Sequence, residues 1–179
     1  MCCFGMMLTV LAGMPPDGIA QLEKVERLMP ALQRMAVDPE LVQAVLAQNS
    51  RGASLVSIRA DDDAWLATPA MTPFKQRVLD AACSRVLARH RTSLGRDKVA
   101  EAFVMDRQGA LVGATRRTSD YWQGDEDKFR VPFKQGRVLR EHPFFDESSQ
   151  AYVIQVSLPV RDRGRVIGAV TVGLSLLDL

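Results

Sequence analysis

Residues 102–115 have the sequence AFVMDRQGALVGAT. Two runs rich in apolar and β-branched residues, 102–106 and 110–115, flank the short segment Arg107-Gln108-Gly109. The glycine allows the positive φ that a tight connection between strands needs. This stretch predicts a β-hairpin, and it marks the point where the period of apolar residues changes from about 3.6 to about 2.

The chain before the hairpin, from about residue 17 to residue 94, is predicted to be helical. Its apolar residues recur every three or four positions, as in Leu22, Val25, Leu28, Met29 and Leu32. Asp38-Pro39 and Thr72-Pro73 each combine an N-cap residue with proline at the first helical position. We expect helices to begin there, the second running from residue 74 to about 89, and another helix over residues 55–66.

The chain after the hairpin begins with a polar and aromatic excursion, RRTSDYWQGDEDKFRVPFKQG (residues 116–136). Asp125-Glu126-Asp127 within it is suited to start a short helix, because acidic groups complement the helix dipole. Three more strands follow at about 137–144, 151–161 and 165–176. The fold class is therefore α+β, a five-stranded antiparallel sheet preceded by long helices. The helices should cover one face and the excursion should shape a pocket on the other.

The bulk composition is that of one ordinary globular domain. The chain has 179 residues, 47% of them hydrophobic, and a net charge of +2. Its 23 basic residues form no stripe, which argues against nucleic acid as a partner. The densest charged stretches, Arg59–Asp63 and Asp125–Arg130, are interpreted as solvated faces or helix starts. Cys83, at an apolar helical position, is interpreted as a small core residue.

The N-terminal residues 2–14, CCFGMMLTVLAGM, form an apolar run too short to span a bilayer but as long as the core of a signal peptide. Gly18 and Ala20 supply small residues for cleavage, so we expect a signal peptide over residues 1–20. No lysine or arginine precedes the run, and a buried segment of a cytoplasmic protein is the alternative. Export predicts a periplasmic or secreted bacterial protein without a transmembrane helix.

Three motifs resemble one known family. The segment 103–114 resembles the first hairpin, and VIGAVTVG (residues 166–173) the last strand, of Cache/PDC (PAS-like) extracytoplasmic sensor domains. The run TSDYWQGDE (residues 118–126) is similar to one in stand-alone secreted Cache proteins. The resemblance implies a helical part over residues 21–97 and a Cache sheet over 98–179. Receptors of the family continue into a transmembrane helix and an output module, whereas this chain stops at Leu179, so we expect no output domain.

The excursion carries most of the candidate ligand-binding residues. Tyr121 and Trp122 could pack flat against a ligand, or they could only anchor the loop to the sheet. Asp120 could pair with an ammonium group or cap a turn. Arg116 and Arg117 could grip a carboxylate, although strand alternation lets only one face inward, and both could be solvated. On the predicted strand 151–161, Tyr152 and Gln155 lie on opposite faces, so Tyr152 is a core residue unless its face is the pocket. The predicted ligand-binding set is Arg116, Arg117, Thr118, Asp120, Tyr121, Trp122, Phe133, Tyr152 and Gln155.

No catalytic machinery is evident in the sequence. His90 and His142 lack a third metal ligand at matching spacing, and the acidic run at 125–127 lacks the spacing of a calcium loop. We therefore predict no enzyme, metal or cofactor. The predicted function is an extracytoplasmic small-molecule sensor module, its ligand a carboxylate or amino acid, with a membrane receptor or kinase as partner. The alternatives are a ligand-free protein that docks on an envelope receptor or enzyme, and a cytoplasmic profilin-like or longin-like sheet.

Overall fold

The computed structural model describes residues 19–179. The predicted signal peptide, residues 1–20, lies outside the described residues except for its last two positions. Within the described part of the chain, no helix combines the length and the apolar character needed to cross a membrane.

The first half of the described chain is helical, as predicted. Asp38 accepts a hydrogen bond from the backbone N–H of Glu40 at 2.9 Å, and Thr72 caps a later helix through the N–H of Lys75, so both predicted helix starts are confirmed. The helices are α1 (Ile19–Ala36), α2 (Pro39–Ser50), α3 (Leu55–Leu66), α4 (Pro73–Leu79) and α5 (Ala82–Leu94).

The helix predicted over residues 74–89 is wrong, because the chain breaks between α4 and α5. Ser84, in the first turn of α5, spans the break with two hydrogen bonds. Its hydroxyl donates to the carbonyl oxygen of Val78 at 2.7 Å and accepts the N–H of Ala114 at 2.9 Å. The break thus lets one side chain form hydrogen bonds with a free carbonyl at the end of α4 and with a free N–H on the outer edge of a strand. A continuous helix would not allow this.

The second half forms one antiparallel sheet in the order β2-β1-β6-β5-β3, with β4 also paired to β5. The expected strand over residues 137–144 is divided in two, because Pro143 has no N–H to give to a ladder. Both pieces pair with the same strand, so the five predicted sheet positions are confirmed. The elements are β1 (Val99–Met105), β2 (Leu111–Ala114), α6 (Asp127–Gln135), β3 (Leu139–Arg140), β4 (Phe144–Asp146), β5 (Ala151–Asp162) and β6 (Arg165–Ser175).

The predicted β1–β2 hairpin is confirmed, and its turn also holds the excursion. Gly109 has a φ of 87°. A Cβ atom at this position would lie 2.5 Å from the Cα of Gly124, in the excursion. The backbone N–H of Gln123 donates to the carbonyl of Gly109 at 2.8 Å, so the excursion runs directly against the turn.

The two faces of the sheet have separate cores. Helices α1, α2 and α5 cover one face, where Leu32 and Leu87 belong to the same cluster as Val156 and Val172. Cys83 is buried in this cluster, as predicted. The excursion covers the other face through a cluster of Phe103, Met105, Trp122, Phe129 and Trp65. Because Trp65 belongs to α3, the expectation that all N-terminal helices cover one face is wrong for this helix.

Candidate functional site

A buried polar pocket lies on the excursion face of the sheet. Its cavity measures about 20 Å³, which is room for about one water molecule. Strands, the excursion, α6 and the loop after β4 all contribute to its wall. The lining residues are Glu101, Phe103, Thr118, Ser119, Gln123, Lys128, Asp146, Ser148 and Gln155.

The floor of the pocket is built around a glycine. Gly173, on β6, is the register partner of Glu101 on β1 and of Gln155 on β5. A Cβ atom at position 173 would lie 2.9 Å from the Cγ of Glu101. Since no side chain stands between them, Glu101 and Gln155 meet across the central strand, and the Nε2 of Gln155 donates to the Oε1 of Glu101 at 2.9 Å.

Glu101 is a buried carboxylate, with 2% of its surface exposed. Among the described residues, its carboxylate forms no ion pair within 4.0 Å. Burial raises the pKa of Glu101, and the negative charge of Asp146 raises it further, against the opposing effects of Ser148, Lys128 and Gln155. The pocket therefore holds a carboxyl group whose charged form lacks a close cation.

Asp146 is held at the pocket by the turn that follows β4. Its carboxylate accepts the backbone N–H of Ser149 at 2.9 Å and the hydroxyl of Ser148 at 2.9 Å. Although burial raises the pKa of Asp146, these hydrogen bonds from the two serines bring it below its ordinary value. The same Ser148 oxygen lies 3.1 Å from the Oε2 of Glu101, so one hydroxyl bridges two carboxylates.

The pocket contains more acceptors than donors. The Oε1 atoms of Gln123 and Gln155 are buried, and neither has a hydrogen-bond partner among residues 19–179. Lys128, a cation lining the pocket, has its Nζ 2.9 Å from the Oε2 of Glu126. Two carboxylates and two unpartnered amide oxygens suit a ligand that donates several hydrogen bonds, such as an ammonium group. Within residues 19–179, no cluster of three or more His, Cys, Asp or Glu side chains could hold a metal ion.

Helix α3 fixes the excursion above the pocket. The Oδ1 atom of Asp62 accepts the backbone N–H of Tyr121 at 2.9 Å and that of Trp122 at 3.0 Å. The Nε1 of Trp65 donates to the carbonyl of Thr118 at 3.0 Å. Asp62 is 7% exposed, so the interpretation of residues 59–63 as a solvated face is wrong for this residue. Arg59 itself lies with its guanidinium 3.5 Å from the ring centroid of Trp122.

The structure brings only part of the predicted ligand-binding set to this pocket. Thr118 and Gln155 line it. Tyr121 instead packs its ring against Phe74 at 5.1 Å, and Trp122 donates its Nε1 to the carbonyl of Gln108 at 2.8 Å. Both aromatics therefore anchor the excursion, which was the alternative interpretation of these residues.

The other predicted residues lie around the pocket or away from it. The backbone carbonyl of Asp120 accepts the Nε2 of Gln123 and thereby orients that side chain. Arg116 donates to the carbonyl of Ser149 at 3.3 Å, in the loop beside the pocket. Arg117 has a buried Nε without a partner. Their role in ligand binding stays a prediction.

Two predicted aromatic residues lie outside the pocket. Phe133 stacks on Phe129 with ring centroids 4.9 Å apart, within α6. Tyr152 packs against the helix-side core, on the opposite face of the sheet from Gln155. The separation of the two side chains by strand alternation is confirmed. Tyr152 is half-buried against the helix-side core, and its role in ligand binding stays a prediction.

The sequence analysis missed Glu101, Gln123, Asp146 and Ser148. The sequence does contain an indication of Glu101, because it is the single charged residue in the otherwise apolar strand VAEAFVM. Strand alternation places it on the same face as Phe103, which packs beneath the excursion. A charged residue in a buried strand is therefore the feature that would have located the pocket.

No protein-family model matches the sequence, and no curated protein matches it. Solved structures similar to the chain include the sensor domain of the V. cholerae histidine kinase DctB, at 16% identity and a TM-score of 0.46, covering 89% of this chain and 55% of that one. The sensory domain of the Campylobacter jejuni chemoreceptor Tlp3, with isoleucine bound, is similar at 15% identity and a TM-score of 0.43, with coverages of 93% and 66%.

A third similar structure is the ligand-binding domain of the Pseudomonas aeruginosa amino acid chemoreceptor PctC in complex with GABA. The identity is 16% and the TM-score 0.39, with 90% of this chain and 62% of that chain covered. The chain thus spans 55% to 66% of the length of these three structures. In its element order, long N-terminal helices followed by a hairpin, a helical excursion and the rest of one antiparallel sheet, the chain has the α+β fold expected from its resemblance to Cache/PDC-type sensor domains.

Proposed function

We propose that the chain is a small-molecule-binding sensor module whose ligand is an amino acid held in the polar pocket. The observation that supports this most directly is Glu101, a buried carboxylate without a cation partner, beside Asp146 and two unpartnered amide oxygens. An ammonium group would supply three charged N–H donors to these acceptors and would relieve the repulsion between the carboxylates. A ligand with a carboxylate alone would meet like charges in this pocket.

The orientation of the ligand follows from the charges around the pocket. The ammonium would lie against Glu101 and the Oε1 of Gln155, on the floor. The carboxylate would point toward Lys128, whose present partner Glu126 is also a carboxylate and could be exchanged for it.

Binding requires the pocket to open. A cavity of about 20 Å³ is far below the 300–1,000 Å³ typical of ligand sites. The loop after β4 and the excursion form the upper wall, and both are surface connections over the rigid sheet. We expect them to separate in the bound state and to close again over the ligand, which would give the sensor its two conformations.

The test is thermal melting of the chain with the common amino acids, GABA and a primary amine without a carboxylate. At a concentration of about 100 times the dissociation constant, a ligand stabilises the folded state by about 2.7 kcal/mol. For a domain of this size this corresponds to a rise in Tm of about 5–10 °C. If no compound in the panel shifts the melting temperature, the proposal fails.

Two variants connect the shift with the pocket. Glu101→Gln preserves the shape of the side chain but removes its charge, so it should abolish the ligand-induced shift. Glu147→Gln is the matched control, because Glu147 lies on the adjacent loop with an exposed side chain that makes no hydrogen bond to the part of the chain that the structure describes. An equal loss of the shift in both variants would contradict the assignment of Glu101.

Export is part of the proposal. The sensor would work in the periplasm or outside the cell, with a membrane receptor or kinase as its partner. Mass spectrometry of the protein purified from a bacterial periplasm should find a mature chain that begins after Ala20. A chain that retains Met1 would contradict cleavage at that position.

A docking protein is the second candidate function. It is favoured by the exposed apolar side chains Val56 (81% exposed) and Leu66 (50% exposed) on α3. In that case a protein partner should copurify without a bound metabolite, and Val56→Glu should abolish the copurification. The sensor proposal instead predicts that Val56→Glu leaves the ligand-induced thermal shift unchanged.

A further inference from the structure

A second and much larger cleft lies at the edge of the sheet, between α2, α3, α4 and the edge strand β2. Its volume is about 840 Å³, within the range of ligand sites. Apolar side chains from α4 and β2 line it, among them Phe74, Val78, Leu111 and Val112. Ala47 and Ala64 form part of its walls, and their small side chains leave the space open.

Positive charge predominates among the lining residues. Arg51 and Arg77 both line the cleft, and neither side chain forms an ion pair with any residue from 19 to 179. Asp61 is the one carboxylate among the described residues that line it. Two guanidinium groups against one carboxylate leave a net charge of one positive unit, which suits an anion.

Tyr121 adds a neutral donor to this cleft. Its hydroxyl makes no hydrogen bond to the residues that the structure describes, although the rest of the side chain is packed between aromatic rings. Burial, and then the negative charges of Asp61 and Asp106, raise the pKa of Tyr121 to about 12, and the positive charge of Arg51 opposes this rise. The hydroxyl therefore stays protonated at neutral pH and can donate to an anion close to Arg51.

We propose that this cleft is a second ligand site and that it binds a medium-chain carboxylate, with the head group at Arg51 and Tyr121 and the hydrocarbon chain along the apolar floor. Arg77 adds to the positive charge that attracts the head group. The site is distinct from the polar pocket, because the excursion separates them. Thr118 and Gln123 line the pocket, whereas Tyr121, between them in sequence, lines the cleft.

The experiment is isothermal titration of the full chain with octanoate, decanoate and decanol. Decanoate should bind with a stoichiometry of one. Octanoate should bind about ten- to fifteen-fold more weakly, because it buries two fewer methylene groups. Decanol should also bind at least about ten-fold more weakly than decanoate, because it lacks the charge that Arg51 recognises.

Arg51→Gln and Arg77→Gln test the head-group contacts. Arg51→Gln should weaken decanoate about 10- to 100-fold, and Arg77→Gln should weaken it to a smaller extent. Arg34→Gln, at an exposed position of α1 away from the cleft, is the matched control and should bind decanoate as the unmodified chain does. The melting temperature of each variant reports whether it is folded.

Several results would overturn the proposal. These are the absence of saturation with decanoate up to about 1 mM, equal affinities for decanoate and decanol, or equal effects of the Arg51 and Arg34 substitutions. Glu101→Gln should leave decanoate binding unchanged. The second site is therefore tested independently of amino acid binding in the polar pocket.

Discussion

The attachment of the excursion to α3 through Asp62 gives the sharpest test of the structure. Replacing Asp62 with alanine removes the Oδ1 atom that accepts two buried backbone N–H groups, at 2.9 and 3.0 Å. Each buried donor left without a partner costs about 1–3 kcal/mol. We therefore expect Asp62→Ala to lower the free energy of unfolding by about 2–6 kcal/mol.

The matched control is Asp62→Asn. Asparagine keeps an Oδ1 atom in the same place, and this atom can accept both N–H groups, so only the contribution of the charge is lost. Hydrogen bonds to a charged group contribute about 1 kcal/mol more than neutral ones. Asp62→Asn should therefore cost about 1–2 kcal/mol and lie between the unmodified chain and Asp62→Ala in stability.

Urea unfolding followed by circular dichroism measures these differences, and Tm should fall by about 2–4 °C for each kcal/mol lost. Hydrogen exchange gives an independent measure, since the amides of Tyr121 and Trp122 should exchange faster in Asp62→Ala than in Asp62→Asn. If Asp62→Ala is within about 0.5 kcal/mol of the unmodified chain, as exposed substitutions are, the excursion is not held by Asp62 and the reasoning is refuted.

Three further predictions follow from the packing. Gly109→Ala should lower the free energy of unfolding in urea by about 2–5 kcal/mol, because it combines a positive φ with a Cβ position 2.5 Å from Gly124. The control Gly164→Ala has a φ of 83° but no described atom within 4 Å of the new Cβ, so it should lower this free energy by only about 1–2 kcal/mol. The Cys83 thiol, whose pKa burial raises to about 12, should not react with iodoacetamide at pH 8 unless the chain is unfolded. Peptide mapping distinguishes it from Cys2 and Cys3, and rapid labelling at Cys83 in the folded protein would contradict its placement. Because folding raises the pKa of Glu101 above its ordinary 4.5, its stabilising contribution is present below that pH and is lost as the pH rises through the raised value. The free energy of unfolding of Glu101→Gln relative to the unmodified chain should therefore increase from pH 4.5 to pH 7, and a constant difference would contradict the raised pKa.

The sequence predicted the features that depend on neighbouring residues. The caps at Asp38 and Thr72, the β1–β2 turn and the opposite faces of Tyr152 and Gln155 all follow from spacing along a few positions. The chain reverses at Gly109 because glycine adopts a positive φ without strain.

The features that escaped the sequence analysis depend on distant partners. Asp62 bonds to residues 59 and 60 positions further along the chain, so its charged neighbourhood in α3 gives no indication that it is buried. Glu101 reaches Ser148 and Gln155, 47 and 54 positions away. The register of the sheet and the open position at Gly173 bring these groups together, and neither can be inferred from local pattern.

The polar pocket holds buried polar atoms that have no hydrogen-bond partner among the described residues, and this bears on its function. The amide of Gln155 donates to Glu101, so its Oε1 is necessarily turned away from that carboxylate and stays without a donor. An unpaired buried polar group costs about 1–3 kcal/mol. Glutamine at position 101 could accept a hydrogen bond from the Gln155 amide and donate one to the Ser148 hydroxyl. That hydroxyl would then donate a hydrogen bond to Asp146, and the repulsion between the two carboxylates would disappear. Glu101→Gln should therefore raise the free energy of unfolding of the ligand-free protein by about 0.5–2 kcal/mol. The same substitution removes the charge that an ammonium ligand would need, so in this pocket stability of the free protein and affinity for such a ligand oppose each other.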